Sequence, residues 1–419
     1  MLDLKRLRSE PDVVRAALER RGGADGLARV IELDEQRRAL LPQLEALRAE
    51  QNEANEAISA AKASGESADA QIAAMKEVAA RAKTLDAELQ ATEAELDEAL
   101  ALLPNLPDDD APAEDTVLRE CGELPKFDFE PRDHLDLAGE RIDMERGAKL
   151  SGARFAYLRG ELVMLELALV RWTLELLGEH RFEPVIPPVL VREEALRGTG
   201  FLPDTEQQIY RLADDDLYLV GTSEVALASL HADEILDAEK LPLRYAGFSP
   251  CFRREAGSAG RDTRGIFRVH QFDKVEMFSF VAPDEAKDEH LRLLAIEEQI
   301  LTTLGLPYRV VDIAIDDLGA SAARKFDCEV WLPSEGRYRE LTSTSNTSDF
   351  QARRLAIRMR REGGKPELLA TLNGTAVAVG RTIIALLENG QQADGSVVLP
   401  ECLVACGAPA VLPNKLPEG

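Results

Sequence analysis

The chain has 419 residues, with 50 Lys and Arg against 76 Asp and Glu and a formal net charge of −26. This length predicts two or three domains, one of them large enough to bury a substantial core. The acidic balance disfavours indiscriminate binding to polyanions, although a local basic patch can still bind a nucleic acid. The five cysteines are scattered without a CxxC pair, which argues against a disulfide framework and against a zinc site.

The sequence predicts neither a secretory signal nor a membrane span. Residues 1–18 lack a charged region followed by an apolar core, so no secretory signal is predicted. The most apolar window, residues 162–177, is interrupted by Glu166, Arg171 and Glu175, which excludes a membrane span. We therefore predict a cytoplasmic protein.

The first 103 residues are predicted to be helical. Residues 1 to about 25 are expected to form one helix, with Ser9 as a cap, Pro11 in a first turn and Gly22-Gly23 at its end. In residues 27–61 and 72–103, core-type positions recur at alternating steps of three and four. This 3.5-residue period predicts an antiparallel two-helix coiled coil that turns at residues 63–67. Each helix would be roughly 50 Å long, too long for burial in a globular core.

Two roles for this arm stay open on the pattern alone. Most coiled coils serve dimerisation. However, cationic side chains stand on both helices of an otherwise acidic arm, and they provide contacts for a phosphate backbone. These residues are Arg29, Arg37, Arg38, Arg48, Lys76, Arg81 and Lys83.

A proline-rich and acidic segment, residues 103–112, predicts a linker between residues 1–103 and a second domain, residues 104–419. The elements predicted for the second domain are a helix at 155–181, a strand at 184–191, strands at 244–254 and 265–280 around a loop at 256–264, a helix at 284–304, strands at 308–315, 327–333 and 337–345, a helix at 349–362 and a last helix starting near 375. They do not alternate as βαβ units. We therefore predict an α+β fold in which helices flank an antiparallel sheet.

The hairpin at residues 244–280 concentrates unusual polar chemistry. In its second strand, the even-numbered positions from Arg268 to Phe278 place two cations, a histidine, aromatic residues and a carboxylate on one face. A solvated face would need neither Phe272 nor the charged run Arg253-Arg254-Glu255 at the opposite strand end. We therefore predict a functional site here, with further polar segments at residues 222–224, 340–346 and 373–381.

Common catalytic motifs are missing from the sequence. It contains neither GxGxxG nor GxxxxGK[ST], so the usual nucleotide-binding loops are not available. The five histidines have no HExxH spacing, which argues against a zinc hydrolase. We assign His270 no catalytic role.

Several motifs resemble one enzyme family, in the same order along the chain. FRREAG with RVHQFDKVEMF resembles motif 2 of the class II aminoacyl-tRNA synthetases (about 244–280), RFEPVIPPVL resembles motif 1 (about 155–190), and LNGTAVAVGRTIIALLEN resembles motif 3 (about 371–389). GTSEVAL, ELTSTSNTSDFQARR and the N-terminal arm are similar to seryl-tRNA synthetases of bacterial type. Two positions depart from the pattern: Arg181 stands where motif 1 commonly has glycine, and Gly380 precedes Arg381 where proline is frequent.

The resemblance implies a homodimeric ligase that uses ATP to convert L-serine to seryl-adenylate and then transfers the seryl group to tRNA(Ser), with tRNA(Sec) as a second acceptor to be tested. It implies Arg253 and Arg381 as catalytic residues at the phosphates of ATP, Glu255 and Phe272 at the adenine, and Mg²⁺ bound by Glu340 and Ser343, with no zinc. The implied ATP-binding set is Arg253, Arg254, Glu255, Arg268, Val269, Phe272, Glu340, Leu341, Thr342, Ser343 and Arg381. The implied serine-binding set is Thr222, Ser223, Glu224, Arg253, Glu276 and Thr375.

Three alternatives remain. Glu224, Glu255 and Glu276 could be salt-bridge partners of Arg253, Arg254 and Lys274 in a purely structural network. The core could activate an amino acid for a carrier protein, but relatives with that activity lack the long arm. The chain could also be a coiled-coil scaffold on a degenerate domain, although Arg253, Glu255 and Arg381 are all present.

Overall fold

The computed structural model describes residues 2–65, 67–203, 208–256, 262 and 264–414. The chain divides into two compact units, Met1–Pro104 and Asn105–Gly419. The α-helices are α1 Leu4–Ser9, α2 Pro11–Arg20, α3 Leu27–Ser64, α4 Asp69–Leu102, α5 His134–Ala138, α6 Met144–Ser151, α7 Glu161–Glu179, α8 Glu193–Thr199, α9 Glu224–Ala228, α10 Ala286–Thr303, α11 Phe350–Arg354, α12 Val379–Gly390 and α13 Glu401–Ala405.

The strands are β1 Thr116–Cys121, β2 Ile142–Asp143, β3 Tyr157–Leu158, β4 Glu183–Val185, β5 Leu190–Val191, β6 Tyr210–Leu212, β7 Leu217–Leu219, β8 Ile235–Asp237, β9 Leu243–Phe252, β10 Gln271–Val281, β11 Tyr308–Asp312, β12 Arg324–Leu332, β13 Arg337–Asn346, β14 Arg358–Arg360, β15 Glu367–Leu368, β16 Ala370–Ala378, β17 Val397–Val398 and β18 Val411–Leu412. The α+β fold class is confirmed.

The first unit contains the predicted coiled-coil arm. Helices α3 and α4 pack along a seam that buries Leu44 and Leu47 against Val78, Ala82 and Leu89. Ion pairs between described residues join the flanks of the two helices: Arg29–Glu95, Arg37–Glu93 and Arg48–Asp86. The apolar seam and the ion pairs agree with the 3.5-residue pattern of the sequence.

The single helix predicted for residues 1 to about 25 is wrong. The chain forms α1 and α2, with a break at Glu10, where φ is −135°. Pro11 has no N–H to continue the helix, but it fits the first position of the next one. Its predicted place in a first turn is therefore confirmed, whereas Glu10 and not Ser9 precedes that turn.

The second unit is built on an eight-stranded sheet in the order β1-β11-β12-β13-β16-β10-β9-β4. Neighbouring strands are antiparallel except for β4 and β9, which are parallel. Apolar residues of α7, α10 and α12 share one core cluster with residues of β10, β12 and β16. Helices therefore cover one face of the sheet, which leaves the other face available to polar residues such as Lys274 and Glu276.

Several predicted boundaries in this unit need correction. The helix predicted at 155–181 starts only at Glu161, and the strand predicted from residue 265 starts at Gln271. The helix predicted at 349–362 is the short α11, and Arg358–Arg360 is a strand instead. Thr375 lies in strand β16, so the last predicted helix starts at Val379. In each case, pairing or packing with distant residues overrides the local pattern.

Arg181 has a left-handed backbone, with φ of +66°. Glycine adopts this conformation without steric cost, whereas a side chain such as arginine is strained there. The backbone at this turn between α7 and β4 thus explains the expectation of glycine at this position of motif 1.

Candidate active site

One face of the sheet collects the predicted site residues. On β10, Phe272, Lys274 and Glu276 lie opposite Cys251, Ser249 and Gly247 of β9. The predicted alternation is therefore confirmed from Gln271 onward. It is wrong for Arg268 and His270, which precede the strand.

Two β-bulges bring further residues onto this face. On β13, Glu340 lies opposite Glu329 and Ser343 opposite Asp327, so Leu341 is an extra residue between them. Without the bulge, residues three apart would point to opposite faces. The bulge therefore gives Glu340 and Ser343 a common face. A bulge at Val275/Glu276 similarly sets Thr375 of β16 opposite Glu276.

Arg253 follows directly after β9 and is held from two sides. Its Nε donates to the carbonyl of Gly221 at 3.3 Å, and its guanidinium lies 5.3 Å from the ring centroid of Phe272. His270 fixes its backbone, because Nδ1 of His270 donates to the Arg253 carbonyl at 2.8 Å and the Arg253 N–H donates to the His270 carbonyl at 3.0 Å. The structure therefore gives His270 a supporting contact to Arg253.

Arg268 connects two acidic groups near the end of the hairpin. Its guanidinium lies 2.9 Å from Asp262 and 3.4 Å from Glu255. Glu255 has a left-handed backbone with φ of +51°, a conformation that non-glycine residues adopt infrequently and that tends to occur at functional sites. Glu255 thus pairs with Arg268, whereas the sequence had suggested Arg253 or Arg254 as structural partners.

Two guanidinium groups lie close to the ring of Phe267. Arg339 is 3.9 Å and Arg381 is 4.6 Å from its ring centroid, and Nε of Arg381 donates to the Phe267 carbonyl at 3.5 Å. Cations over an aromatic ring are attracted by its quadrupole. These contacts hold Arg381 of motif 3 beside the residues that follow the hairpin loop.

Glu340 faces Arg381 at 3.6 Å, and its side chain is 46% exposed. Partial burial pushes the pKa of Glu340 up, but the cations around it, Arg381 and Lys325 foremost, push it further down, so that the pKa is lowered overall. Glu340 is therefore an ionised carboxylate that a ligand can reach.

Glu340 and Ser343 offer hard oxygen ligands on one face, which suits Mg²⁺. Within the described residues, no group of three or more His, Cys, Asp or Glu side chains is arranged to hold a metal. Mg²⁺ is commonly bound by one or two carboxylates together with substrate phosphates, not by a cage of protein groups. The residues present fit that mode of binding.

Glu276 is buried, with 2% of its side chain exposed, and it pairs with Lys274. The hydroxyl of Thr375 donates to Glu276 at 3.5 Å from the neighbouring strand. A buried carboxylate needs such partners, because an unpaired buried charge is costly. Glu276, Lys274 and Thr375 thus form a cluster of polar side chains beside Glu224.

Glu224 is held by two amides. Gln351 donates to Oε1 of Glu224 at 2.8 Å, and Asn373 donates to the same oxygen at 3.0 Å. Burial, followed by the like charge of Glu276, raises the pKa of Glu224 to about 7. Both amides bond to the same oxygen of Glu224, so the other oxygen is available to accept a hydrogen bond from a ligand. The carboxyl group of Glu224 changes its charge state close to neutral pH.

The segment that carries Thr222 and Ser223 packs tightly on β9. Thr222 accepts a hydrogen bond from the Glu224 N–H at 3.2 Å, and Ser223 donates to the carbonyl of Gly247 at 3.4 Å. A Cβ at Gly247 would come within 2.8 Å of Leu227, so glycine is needed for this approach. The close packing of this segment on β9 therefore fixes the position of Glu224 relative to the sheet.

Four predicted ATP-binding residues have other surroundings. The Leu341 side chain is in the core, and Thr342 donates to the buried Glu297 at 3.0 Å, so both side chains point away from the site face. Arg254 is exposed. Val269 lines a cavity of about 190 Å³ that also borders Phe272, Glu166 and Asp273. Burial, together with Asp273, raises the pKa of Glu166 to about 8.

Sequence reasoning missed several supporting residues. Gln351 and Asn373 each donate to Glu224, and Arg339 lies over the ring of Phe267, which Arg381 also contacts. No local signal identifies these three as partners, because the fold brings them together from distant parts of the chain. Lys274, by contrast, was expected from the sequence as a salt-bridge partner of a glutamate, and it pairs with Glu276.

Family comparisons agree with this geometry. The family described as "tRNA synthetase class II core domain (G, H, P, S and T)" matches residues 208–390, and the family described as "Seryl-tRNA synthetase N-terminal domain" matches residues 1–107. The chain belongs to the class II aminoacyl-tRNA synthetases. Curated relatives include a "Serine--tRNA ligase" of Acidothermus cellulolyticus, 56% identical over 96% of this chain and 97% of the relative, and one of Thermobifida fusca, 54% identical over 96% of each. Within its class, the chain belongs to the seryl-tRNA synthetase family.

Solved structures support the same assignment. Seryl-tRNA synthetase from Pyrococcus horikoshii complexed with ATP superposes with a TM-score of 0.92 at 39% identity, covering 99% of this chain and 100% of that one. The cytoplasmic serine-tRNA ligase from Naegleria fowleri in complex with AMP gives a TM-score of 0.84 at 30% identity, covering 97% and 96%. The similarity extends over the arm and the catalytic sheet.

Proposed function

We propose that this protein is a serine–tRNA ligase. It activates L-serine with ATP to give seryl-adenylate and pyrophosphate, and then transfers the seryl group to the terminal ribose of tRNA(Ser). One observation carries the proposal: the sheet face with the buried carboxylate Glu276 has the cation Arg253 at the end of β9, Arg381 of α12 against Glu340, and the buried carboxylate Glu224 of α9 beside Glu276. Cations suit a triphosphate, and carboxylates suit an amino acid's ammonium group.

In the first reaction, the serine carboxylate attacks the α-phosphorus of ATP and pyrophosphate leaves. No protein nucleophile is required, because catalysis consists of orientation and charge stabilisation. Arg253 would bind the α-phosphate with its planar fork, and Arg381 and Arg268 would hold the other phosphates. Phe272 would stack on the adenine, and Glu255 would accept a hydrogen bond from its amino group.

Mg²⁺ would be held by Glu340 and Ser343, and it would neutralise phosphate charge when it binds with ATP. The lowered pKa of Glu340 supports this role, because a metal ligand must be ionised. We propose no protein-only metal site and no zinc.

Selection of serine would depend on buried polar groups. A cavity separates serine poorly from alanine by apolar contact, but a site that hydrogen-bonds the hydroxyl leaves its own groups unpaired when alanine enters. Thr375, Glu276 and Glu224 supply such groups in a buried setting. Thr222, Ser223 and Arg253 would complete the serine site.

The arm of α3 and α4 would bind the tRNA. Side chains cannot read the deep groove of an RNA helix, so recognition by shape and backbone is expected. tRNA(Sec) is a second acceptor to be tested by charging both transcripts with the same enzyme preparation.

We propose a homodimer formed through motif 1. Three apolar side chains of α7, Val163, Met164 and Leu167, are 39%, 50% and 55% exposed, and Ile186 after β4 is 81% exposed. Exposed apolar groups clustered in this way are typical of subunit interfaces. Sedimentation of Leu167→Asp against the native protein tests the interface, and a dimer of unchanged stability would contradict it.

The cytoplasm is the proposed compartment. All five cysteines are free, as expected in a reducing environment. Among the described residues, no helix is long and apolar enough to cross a membrane.

Pyrophosphate exchange measured with each of the 20 amino acids tests the function. We expect ATP–pyrophosphate exchange to depend on serine, and charging of tRNA(Ser) to accompany it. Exchange stimulated by another amino acid, or serine activation without tRNA charging, would contradict the proposal. In the second case, charging of a carrier protein would be measured beside it.

A further inference from the structure

We infer that His134 is a positioning residue that anchors the segment after the motif 2 loop to helix α12. The segment consists of residues 264–268, called the loop base below. His134 stands at the start of α5, in a part of the chain to which none of the three class motifs extends. The inference rests on the proposed function, because it concerns how the ATP site is held together.

The first contact is a buried hydrogen bond to the loop base. The N–H of Ile266 donates to Nε2 of His134 at 3.3 Å. Both residues are buried, with exposed fractions of 5% and 8%. A buried N–H without an acceptor is costly, so this bond fixes where the chain re-enters the sheet after the loop.

Gly265 shows how closely the two segments approach. Its φ is +81°, and a Cβ at this position would lie 2.0 Å from Nε2 of His134. Any other residue would therefore suffer both backbone strain and a collision with the imidazole ring. The sequence thus contains two matched residues, a histidine and a glycine, that are 131 positions apart.

The hydrogen bond selects one form of the imidazole. Nε2 can accept only when it carries no proton, so the ring proton must be on Nδ1. Nδ1 lies 3.5 Å from Oε1 of Glu388, whose side chain is 1% exposed. The other oxygen of Glu388 accepts from the Ser334 N–H at 3.1 Å. Glu388 thus orients His134, as carboxylates commonly orient histidines at functional sites.

Helix α12 therefore holds the loop base at two points. Glu388 reaches Ile266 through His134, and Arg381, two turns earlier on the same helix, reaches the carbonyl and ring of Phe267. The next residue, Arg268, pairs with Glu255. Motif 3 and motif 2 are joined at consecutive residues, so loss of His134 is expected to loosen the groups that face ATP.

Ion pairs of Arg264 add a weaker contact between the loop base and α5 at the surface. Its guanidinium lies 2.9 Å from Asp133 and 2.9 Å from Asp136, but its side chain is 64% exposed. Exposed ion pairs contribute little, so the buried imidazole is expected to be the more important anchor.

The test compares His134→Ala, Gly265→Ala and the double variant by steady-state pyrophosphate exchange. Loss of one buried hydrogen bond predicts that His134→Ala raises the KM for ATP about 5- to 10-fold, with the KM for serine changed less than about twofold. The factor by which Gly265→Ala raises the KM for ATP should be at least about fivefold larger in the native protein than in the His134→Ala variant. In that variant the imidazole ring is absent, so the new Cβ has nothing to collide with.

The control is His180→Ala, since the imidazole of His180 bonds to Gln299 at an exposed position and its other hydrogen bonds are made by the backbone, so it should leave both KM values unchanged. Thermal unfolding checks that each variant is folded. Should His134→Ala fail to fold, Glu388→Gln tests the same chain of contacts and should raise the KM for ATP about two- to threefold.

Failure of the inference and failure of the proposed function give different results. If the native protein shows no serine-dependent exchange, the proposed function is wrong. If native exchange is normal but folded His134→Ala keeps the native KM for ATP, or both KM values rise equally, or the two substitutions are additive, the positioning role is wrong.

Discussion

The arm and the catalytic sheet both contain many charged side chains, but they hold them in different environments. In the pair between Arg48 and Asp86 of the arm, the side chains are 59% and 37% exposed. In the pair between Lys274 and Glu276 of the sheet, they are 8% and 2% exposed. Both pairs join a cation to a carboxylate. Burial therefore accounts for most of the difference in their energetic and functional roles.

Exposure keeps the arm's charges close to their behaviour in water. Such pairs contribute about 0–1 kcal/mol each, and the helices depend mainly on the apolar seam. In the sheet, burial makes each charge expensive to leave unpaired, at about 3–5 kcal/mol when one partner is removed. Buried groups such as Glu224 consequently have shifted pKa values. Their substitution is expected to change catalysis and ligand binding more than the fold.

The largest expected effect separates the two regions entirely. Deletion of residues 27–103, with the ends bridged, should abolish tRNA charging and leave seryl-adenylate formation within about twofold of the native rate, because the proposed ATP and serine sites belong to the second unit. Pyrophosphate exchange and charging are measured on the same preparation. Retained charging would show that the arm is only structural.

The next largest effect concerns a single cation of the sheet. Arg253→Ala should reduce kcat/KM for exchange about 10³-fold, as expected when a group that stabilises transition-state charge is lost. Arg48→Ala in the arm is the matched control and should change exchange less than about twofold. Equal effects of the two substitutions on exchange would contradict the assigned role of Arg253.

The sequence predicted periodic features well and close packing poorly. The 3.5-residue seam of the arm and the alternation on β10 are local patterns, and both are found in the structure. The common face of Glu340 and Ser343 depends on a bulge that no local pattern predicts. The contact of His134 with Gly265 joins residues far apart in sequence, so it follows only from the packed fold.

A smaller effect should appear as a pH dependence of serine binding. The pKa of Glu224 is raised to about 7, so the carboxylate is ionised above and protonated below this pH. The KM for serine should therefore rise about tenfold from pH 8 to pH 6, while Glu224→Gln should show a high KM that no longer varies with pH.

Exchange kinetics at saturating ATP, measured in steps of half a pH unit, give this profile. Glu285→Gln, at an exposed position outside the site, serves as the control and should keep the native profile. The assignment of Glu224 would be wrong if the KM of the native enzyme did not change between pH 6 and pH 8, or if Glu224→Gln retained the native dependence.

The smallest expected effect lies within the arm. Arg29, Arg37 and Arg48 of α3 are already neutralised by carboxylates of α4, whereas Lys76, Arg81 and Lys83 of α4 are exposed and form no ion pair among the described residues. Unpaired cations release more counterions when they meet phosphates. Substituting the three α4 cations with Gln should therefore raise the KM for tRNA about three- to tenfold and flatten its salt dependence, with exchange unchanged. Substituting the three α3 arginines with Gln should raise the KM for tRNA less than the α4 substitutions do. A larger increase from the α3 substitutions would show that ion pairing within the arm does not determine which cations contact the RNA.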